Sequence, residues 1–175
     1  NQLTSLDVSK NTALTYLSFG NNQLTSLDVS QNTALTHLYC YSNQLTSLDV
    51  SKNVALCTLY CYGNPFTTAE YDAIMCSLPI VSSGTGNFRP LYNSSDTNAT
   101  KFMASNSLNA KAKNWNVQYS NATTIPATTG DYECPFMGNN NRYITLNVTK
   151  DSLISIRLAT DTANTPIRIV SGDNV

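Results

Sequence analysis

An internal repeat of 21 residues limits the folds open to this chain. Leu3-Thr-Ser-Leu-Asp-Val-Ser-Lys-Asn11 returns almost unchanged at Leu24–Asn32 and again at Leu45–Asn53. The second half of the unit returns as well. Leu14, Leu17, Phe19, Asn22 and Leu24 are followed by Leu35, Leu38, Cys40, Asn43 and Leu45, then by Leu56, Leu59, Cys61, Asn64 and Phe66. A unit of this length cannot bury its own apolar side chains. It needs the next unit stacked on it, so the repeat predicts a solenoid over residues 1–66.

Each position then has a physical reason. Leu17 and Phe19 alternate with Tyr16 and Ser18, so a short strand turns the first pair inward and the second outward. Stacked coils place these strands side by side, near 16–19, 37–40 and 58–61, as one parallel sheet on the concave face. Asn22, Asn43 and Asn64 fall where the chain leaves the strand. An inward amide there can bond backbone groups of neighbouring coils that burial would leave unpaired, and an asparagine ladder is expected. The Leu6-Asp7-Val8-Ser9 half has too few residues for a regular helix, so short extended or β segments are expected on the convex face.

The pattern L-x-x-L-x-L-x-x-N-x-L resembles the leucine-rich repeat family, and the Leu-Asp-Val-Ser-x-Asn unit resembles repeats of bacterial cell-surface proteins, broadly internalin-like. The resemblance implies a scaffold whose outward strand residues bind partners, usually proteins and sometimes glycans. It implies a secreted or surface-attached bacterial protein. The chain opens in phase with the repeat, so it reads as a piece whose targeting signals lie elsewhere.

After Asn64-Pro65-Phe66 the repeat fails. Thr67-Thr68-Ala69-Glu70 reads as a capping box, with Thr67 as N-cap and Glu70 at N3, ahead of Tyr71, Ile74, Met75 and Leu78 at helical spacing and a stop at Pro79. Residues 67–121 are therefore expected as an α/β C-terminal cap. Within it lie a strand at 88–92, a helix beginning near Ser95 or Asp96 that uses Ala99, Phe102 and Met103, and a helical turn leading into a strand at 110–119. Residues 122–131, rich in Thr, read as a linker. Residues 132–175 change to a period of two, with Ile144, Leu146 and Val148 as the first example, and predict a small antiparallel β module, truncated from a larger one.

Composition excludes several functions. Ten Lys and Arg against eleven Asp and Glu, a net charge of −1, leave no basic stripe for nucleic acid. No apolar run is long enough to span a membrane. His37 is the only histidine, and no carboxylate stands at a predictable place to orient it, so a catalytic triad is not expected and the chain reads as a binder, not an enzyme. Asp7, Asp28 and Asp49, each two residues before a serine, read as turn formers, since no Asp-x-Asp-x-Asp-Gly calcium loop occurs. Cys40 and Cys61 replace Phe19 at a buried position and read as small apolar groups. A lone C-x-x-x-C at Cys57 and Cys61 is no zinc pattern, Gly84-Thr-Gly86 reads as a turn, and neither metal nor cofactor is expected. Cys76 and Cys134 stand outside the repeats and are candidates for a disulfide tying the cap to the β module.

What remains is the outward strand face. Tyr16 and Ser18, then His37, Tyr39 and Tyr41, then Thr58, Tyr60 and Tyr62 stack into an aromatic ridge. Tyrosine gives a large rigid contact and a hydroxyl at low entropic cost, so these residues are the expected contact surface for a protein or glycan ligand of a monomeric module. Two other readings stand beside it. Stacked tyrosines can simply shield a sheet as cross-strand pairs, and the solenoid can be a spacer carrying other domains.

Overall fold

A computed structural model describes residues 1–126 of the chain, all within the first of its two units, Asn1–Cys134. The expected β module at 132–175 and most of the expected linker lie outside the described residues.

The three repeats each contribute one three-residue strand: β1 (Tyr16–Ser18), β2 (His37–Tyr39) and β3 (Thr58–Tyr60). They pair in parallel, with Leu17 opposite Leu38 and Leu38 opposite Leu59. The 21-residue period is thus the register of the sheet. The inward leucines of β2 and β3 are fully buried, as are Leu24, Leu35, Leu45 and Phe66 from the remaining apolar positions of the repeat. Phe19, Cys40 and Cys61 form a second buried column one step along the strands. Burial of these side chains from every coil is what holds a unit too short to have a core of its own.

The chain leaves each strand through a residue of positive φ at the same place in the unit: Asn21, Ser42 and Gly63, at 57°, 51° and 67°. Asn and Gly tolerate this left-handed backbone readily. At Gly63 space is short too, because a Cβ there would stand 3.1 Å from Ser42 Oγ and 3.2 Å from the Ser42 backbone. The asparagine after this bend turns inward. Asn43 Oδ1 accepts from the Leu24 N–H at 3.1 Å, and its Nδ2 donates to the carbonyls of Phe19, Cys40 and Tyr41 at 3.2 Å each. Asn64 repeats the arrangement, receiving the Leu45 N–H and donating to Cys40 and Cys61. Asn22 does so at the edge, with Leu3, Phe19 and Gly20.

On the opposite side of the coil, where extended or β segments were the two expectations, the β alternative is not realised. No strand forms there, and turns occupy residues 9–10 and 12–13 of the first unit and the equivalent places of the next two. The cause is a second asparagine ladder. Asn32 Nδ2 donates to the carbonyls of Val8 and Asn11, and Asn53 Nδ2 to those of Val29 and Asn32, all at 2.9–3.0 Å. Side-chain amides link the coils here, while the backbone is bent into local bonds such as Asn11 N–H to Val8 O and Leu14 N–H to Asn11 O. Asp7, Asp28 and Asp49 belong to the same turns. Each accepts from the N–H of the serine two residues on, at 2.8–2.9 Å. Bonds from Ser9 hold the Asp7 carboxyl below the usual carboxylate range, and those from Ser30 do the same for Asp28.

Beyond the repeats the sheet continues. Helix α1 (Thr68–Ser77) comes after β3, and Thr67 Oγ1 accepts from Glu70 N–H as its N-cap. Tyr71, Ile74 and Met75 of α1 are buried with Leu78. At its C-terminal end, where carbonyls lack intrahelical partners, Lys113 Nζ donates to Met75 O and Cys76 O. Strand β4 (Gly86–Leu91) then pairs in parallel with β3, placing Phe88 opposite Leu59 and Arg89 opposite Tyr60. Short helices α2 (Ala99–Met103) and α3 (Leu108–Lys111) lead to β5 (Trp115–Tyr119), which pairs in parallel with β4. Helix α2 begins three residues later than Asp96, because Asp96 instead accepts from Tyr92 N–H and Asn98 N–H and holds a turn. In the stretch expected as a linker, Thr124 forms an antiparallel bridge with Gln118, and Ile125 is buried with its N–H on Val117 O. The sheet order is β1-β2-β3-β4-β5.

Tyr71 is fully buried between Phe66 and Phe102, and its hydroxyl has no hydrogen-bond partner among the described residues. Burial pushes its ionisation far above the ordinary 10.0. Removing that hydroxyl leaves the packing in place and spares a desolvated polar atom. Tyr71→Phe should be neutral or stabilising by up to about 1 kcal/mol in urea unfolding. A raised value means that the stabilising neutral phenol is fully present below pH 10.0 and lost as pH rises above it, so the advantage of the Phe variant should widen in alkali. A loss above about 1 kcal/mol would point to a partner for the hydroxyl.

Candidate functional site

The pleat that turns Leu17, Leu38 and Leu59 inward sets their neighbours on the other face of the sheet, and parallel pairing in register lines these up in rows. The first row is Tyr16, His37, Thr58 and Asn87, and the second is Ser18, Tyr39, Tyr60 and Arg89. A third runs past the strand ends with Gly20, Tyr41 and Tyr62, and reaches Tyr92 just beyond β4.

The rings touch along and across these rows. Tyr16 meets His37 at 5.9 Å between centroids and Tyr39 at 5.2 Å. Tyr39 meets Tyr60 edge-to-face at 4.7 Å, and the Arg89 guanidinium lies 4.2 Å from the centroid of Tyr60. Tyr41 stacks on Tyr62 at 4.9 Å and 13°, and Tyr62 contacts Tyr92 at 5.6 Å. Gly20 makes room for this: a Cβ there would sit 2.4–2.8 Å from three atoms of the Tyr41 ring. Desolvation by the neighbouring rings raises the ionisation of Tyr39 and Tyr62. Tyr16 and Tyr92, at the two ends, are each 57% exposed.

One expected contact residue does not reach the surface. Thr58 is 5% exposed, a short side chain paired between the larger His37 and Asn87. Ser18 is exposed but carries no ring, so it forms a low point beside Tyr39. His37 is held by its neighbour: the Thr36 hydroxyl donates to Thr15 O at 2.7 Å and lies in hydrogen-bond contact with His37 Nδ1 at 2.9 Å. Its ring has Tyr16 and Tyr39 as neighbours, at 5.9 and 6.3 Å between centroids. Two members were not assigned from sequence, Arg89 and Tyr92. The signal was the alternation Asn87-Phe88-Arg89, which repeats Thr58-Leu59-Tyr60 without the flanking motif.

The thiols divide by burial. Cys40 and Cys61 are fully buried, and burial pushes Cys40 up to about 12 and Cys61 upward as well. Cys57 is half-buried, with its thiol 3.5 Å from Thr36 O. Cys76 is disulfide-bonded, and Cys134, its expected partner, lies outside the described residues. A maleimide added to the native protein at neutral pH should therefore modify Cys57 first, with Cys40 and Cys61 reacting only on unfolding. Equal rates at all three, read by peptide mapping, would contradict this burial. No group of three or more His, Cys, Asp or Glu able to hold a metal occurs among the described residues, and no described helix is long and apolar enough to cross a membrane.

Residues 12–53 match the family model for leucine-rich repeats, in two copies. No curated protein matches the chain. Among solved structures it is similar to the functional domain of InlJ, an internalin of Listeria monocytogenes whose structure includes a cysteine ladder, at 30% identity and a TM-score of 0.40. The match covers 61% of this chain and 27% of that one, so the present chain spans little more than a quarter of the length of that structure.

Proposed function

We propose that these leucine-rich repeats are a non-catalytic binding module of a secreted or surface-attached bacterial protein, monomeric and without cofactor, which presents a concave aromatic face to a protein or glycan. Within it, residues 67–121 act as the C-terminal cap, 122–131 lead out of it, and 132–175 belong to a separate β module. The observation that carries the reading is the contact between outward rings of successive coils. Two groups of rings are in contact from coil to coil, Tyr16, His37, Tyr39 and Tyr60 with Arg89, and Tyr41, Tyr62 and Tyr92, and Tyr16 and Tyr92 are each more than half exposed. A connected aromatic surface of this kind is the usual mark of a partner site. The inward positions are committed to the core, and the Leu-Asp-Val-Ser halves hardly vary, so the outward strand positions are where a specific contact can be encoded.

A spacer role is the second reading, and the mutual packing of the rings favours it, since each tyrosine already has a neighbour. A paired protein and glycan array separates the two. The wild type should give discrete ligands whose signal falls in the Tyr39→Ala/Tyr60→Ala variant. A blank array, or signals that the double variant keeps in full, supports the spacer.

A further inference from the structure

The faces of these rings are largely used up by one another. Tyr41 lies against the Gly20 backbone on one side and Tyr62 on the other; Tyr62 has Tyr92 beyond it; Tyr60 is covered by the Arg89 guanidinium. What the surface offers is therefore ring edges and hydroxyls, not the open planes on which a sugar stacks. Ring edges carry the positive end of the aromatic quadrupole, and phenol hydroxyls donate.

Charge points the same way. No outward position of β1–β5 carries Asp or Glu, and Arg89 is the cation among them. The carboxylate at the margin, Asp96, has its oxygens on the backbone N–H groups of Tyr92 and Asn98. The Arg89 side chain is held in place: Nη1 donates to Ser120 O at 2.6 Å, and the plane rests on Tyr60. Its Nε is buried and has no hydrogen-bond partner among the described residues. A guanidinium fixed in this way loses little freedom on binding an anion.

From this geometry we infer that the face takes an acidic segment of a partner protein, with a side-chain carboxylate seated on Arg89 and its flanking residues laid along the tyrosine edges. The inference rests on the binding-module reading and narrows it to an anionic polypeptide.

The test uses the whole chain and three defined polymers, poly-L-glutamate, polygalacturonate and poly-L-lysine, with binding followed by interferometry at low and high salt. The wild type should bind polyglutamate, weakening with salt, and should prefer it to polygalacturonate. Arg89→Met should lower that affinity about tenfold or more, Arg89→Lys should keep part of it, and Arg89→Glu should exchange polyglutamate for polylysine. The Lys and Glu variants keep the test valid if Met perturbs the fold, which far-ultraviolet circular dichroism on each protein would show. No binding of polyglutamate, or binding that Arg89→Met and Arg89→Glu leave unchanged, overturns the anchor. Equal, Arg89-dependent binding of polygalacturonate overturns the assignment to a protein. If polyglutamate fails while an array ligand is lost in Tyr39→Ala/Tyr60→Ala, the anchor falls and the binding face stands.

Discussion

Asn43→Ala should destabilise the protein by about 2 kcal/mol or more. The amide joins four backbone groups from two coils: the Leu24 N–H and the carbonyls of Phe19, Cys40 and Tyr41. Asn43 is 7% exposed and the groups around it are sealed by Leu24, Cys40 and Leu45, so water cannot replace the lost partner. Of these only the Leu24 N–H is left without a partner, because Phe19 O keeps Asn22 Nδ2, Cys40 O keeps Asn64 Nδ2 and Tyr41 O keeps the Asn21 N–H; one buried unpaired donor costs about 1–3 kcal/mol, and the space the side chain filled adds to it. Asn22→Ala is the internal control. Asn22 sits on the first coil, where the N–H of Leu3 that it accepts is exposed, and its loss should cost only about 1 kcal/mol. Urea unfolding of both variants decides the point, and equal losses would mean that burial of the ladder does not set its strength.

Burial also separates what was legible in the sequence from what was not. Inward positions were legible because the repeat states them three times. Leu17, Leu38 and Leu59 can alternate with polar neighbours at a fixed period only in stacked parallel strands, and Asn22, Asn43 and Asn64 can be inward only if they bond backbone. On the convex side the choice between extended and β segments was not legible, because alternating Leu6 and Val8 fit both. What decides against a strand is Asn32 and Asn53, whose amides take over the inter-coil bonding that a strand would have done. The repeated Asn11, Asn32 and Asn53 was the available signal, as regular in its spacing as the ladder at Asn22, Asn43 and Asn64.

For the outward face, row membership was legible and exposure was not. Register alone puts Thr58 on the face; its burial depends on the size of His37 and Asn87 beside it, and Asn87 comes from a strand outside the repeat. Arg89 and Tyr92 join the face for the same reason. Their pairing results from the path of the chain through α1 into β4, and the alternation Asn87-Phe88-Arg89 marks a strand without saying which strand it joins.

The second large effect is on binding. Tyr39 and Tyr60 lie at the middle of the aromatic face, in contact at 4.7 Å, while the adjacent Leu38 and Leu59 hold the core beneath them. Removing both rings takes away the central contact area and the support under Arg89, and hot-spot tyrosines of this kind account for about 2 kcal/mol or more of affinity. The fold should survive, with a loss limited to the ring pairings, about 1 kcal/mol each. Whether this face is a binding surface is decided by titrating a ligand recovered from the array into wild type and Tyr39→Ala/Tyr60→Ala by calorimetry, with urea unfolding of both alongside. A binding face requires affinity weakened by about thirtyfold or more in a protein that still unfolds cooperatively. Unchanged affinity in the folded double variant would contradict it and return the tyrosines to the role of shielding the sheet.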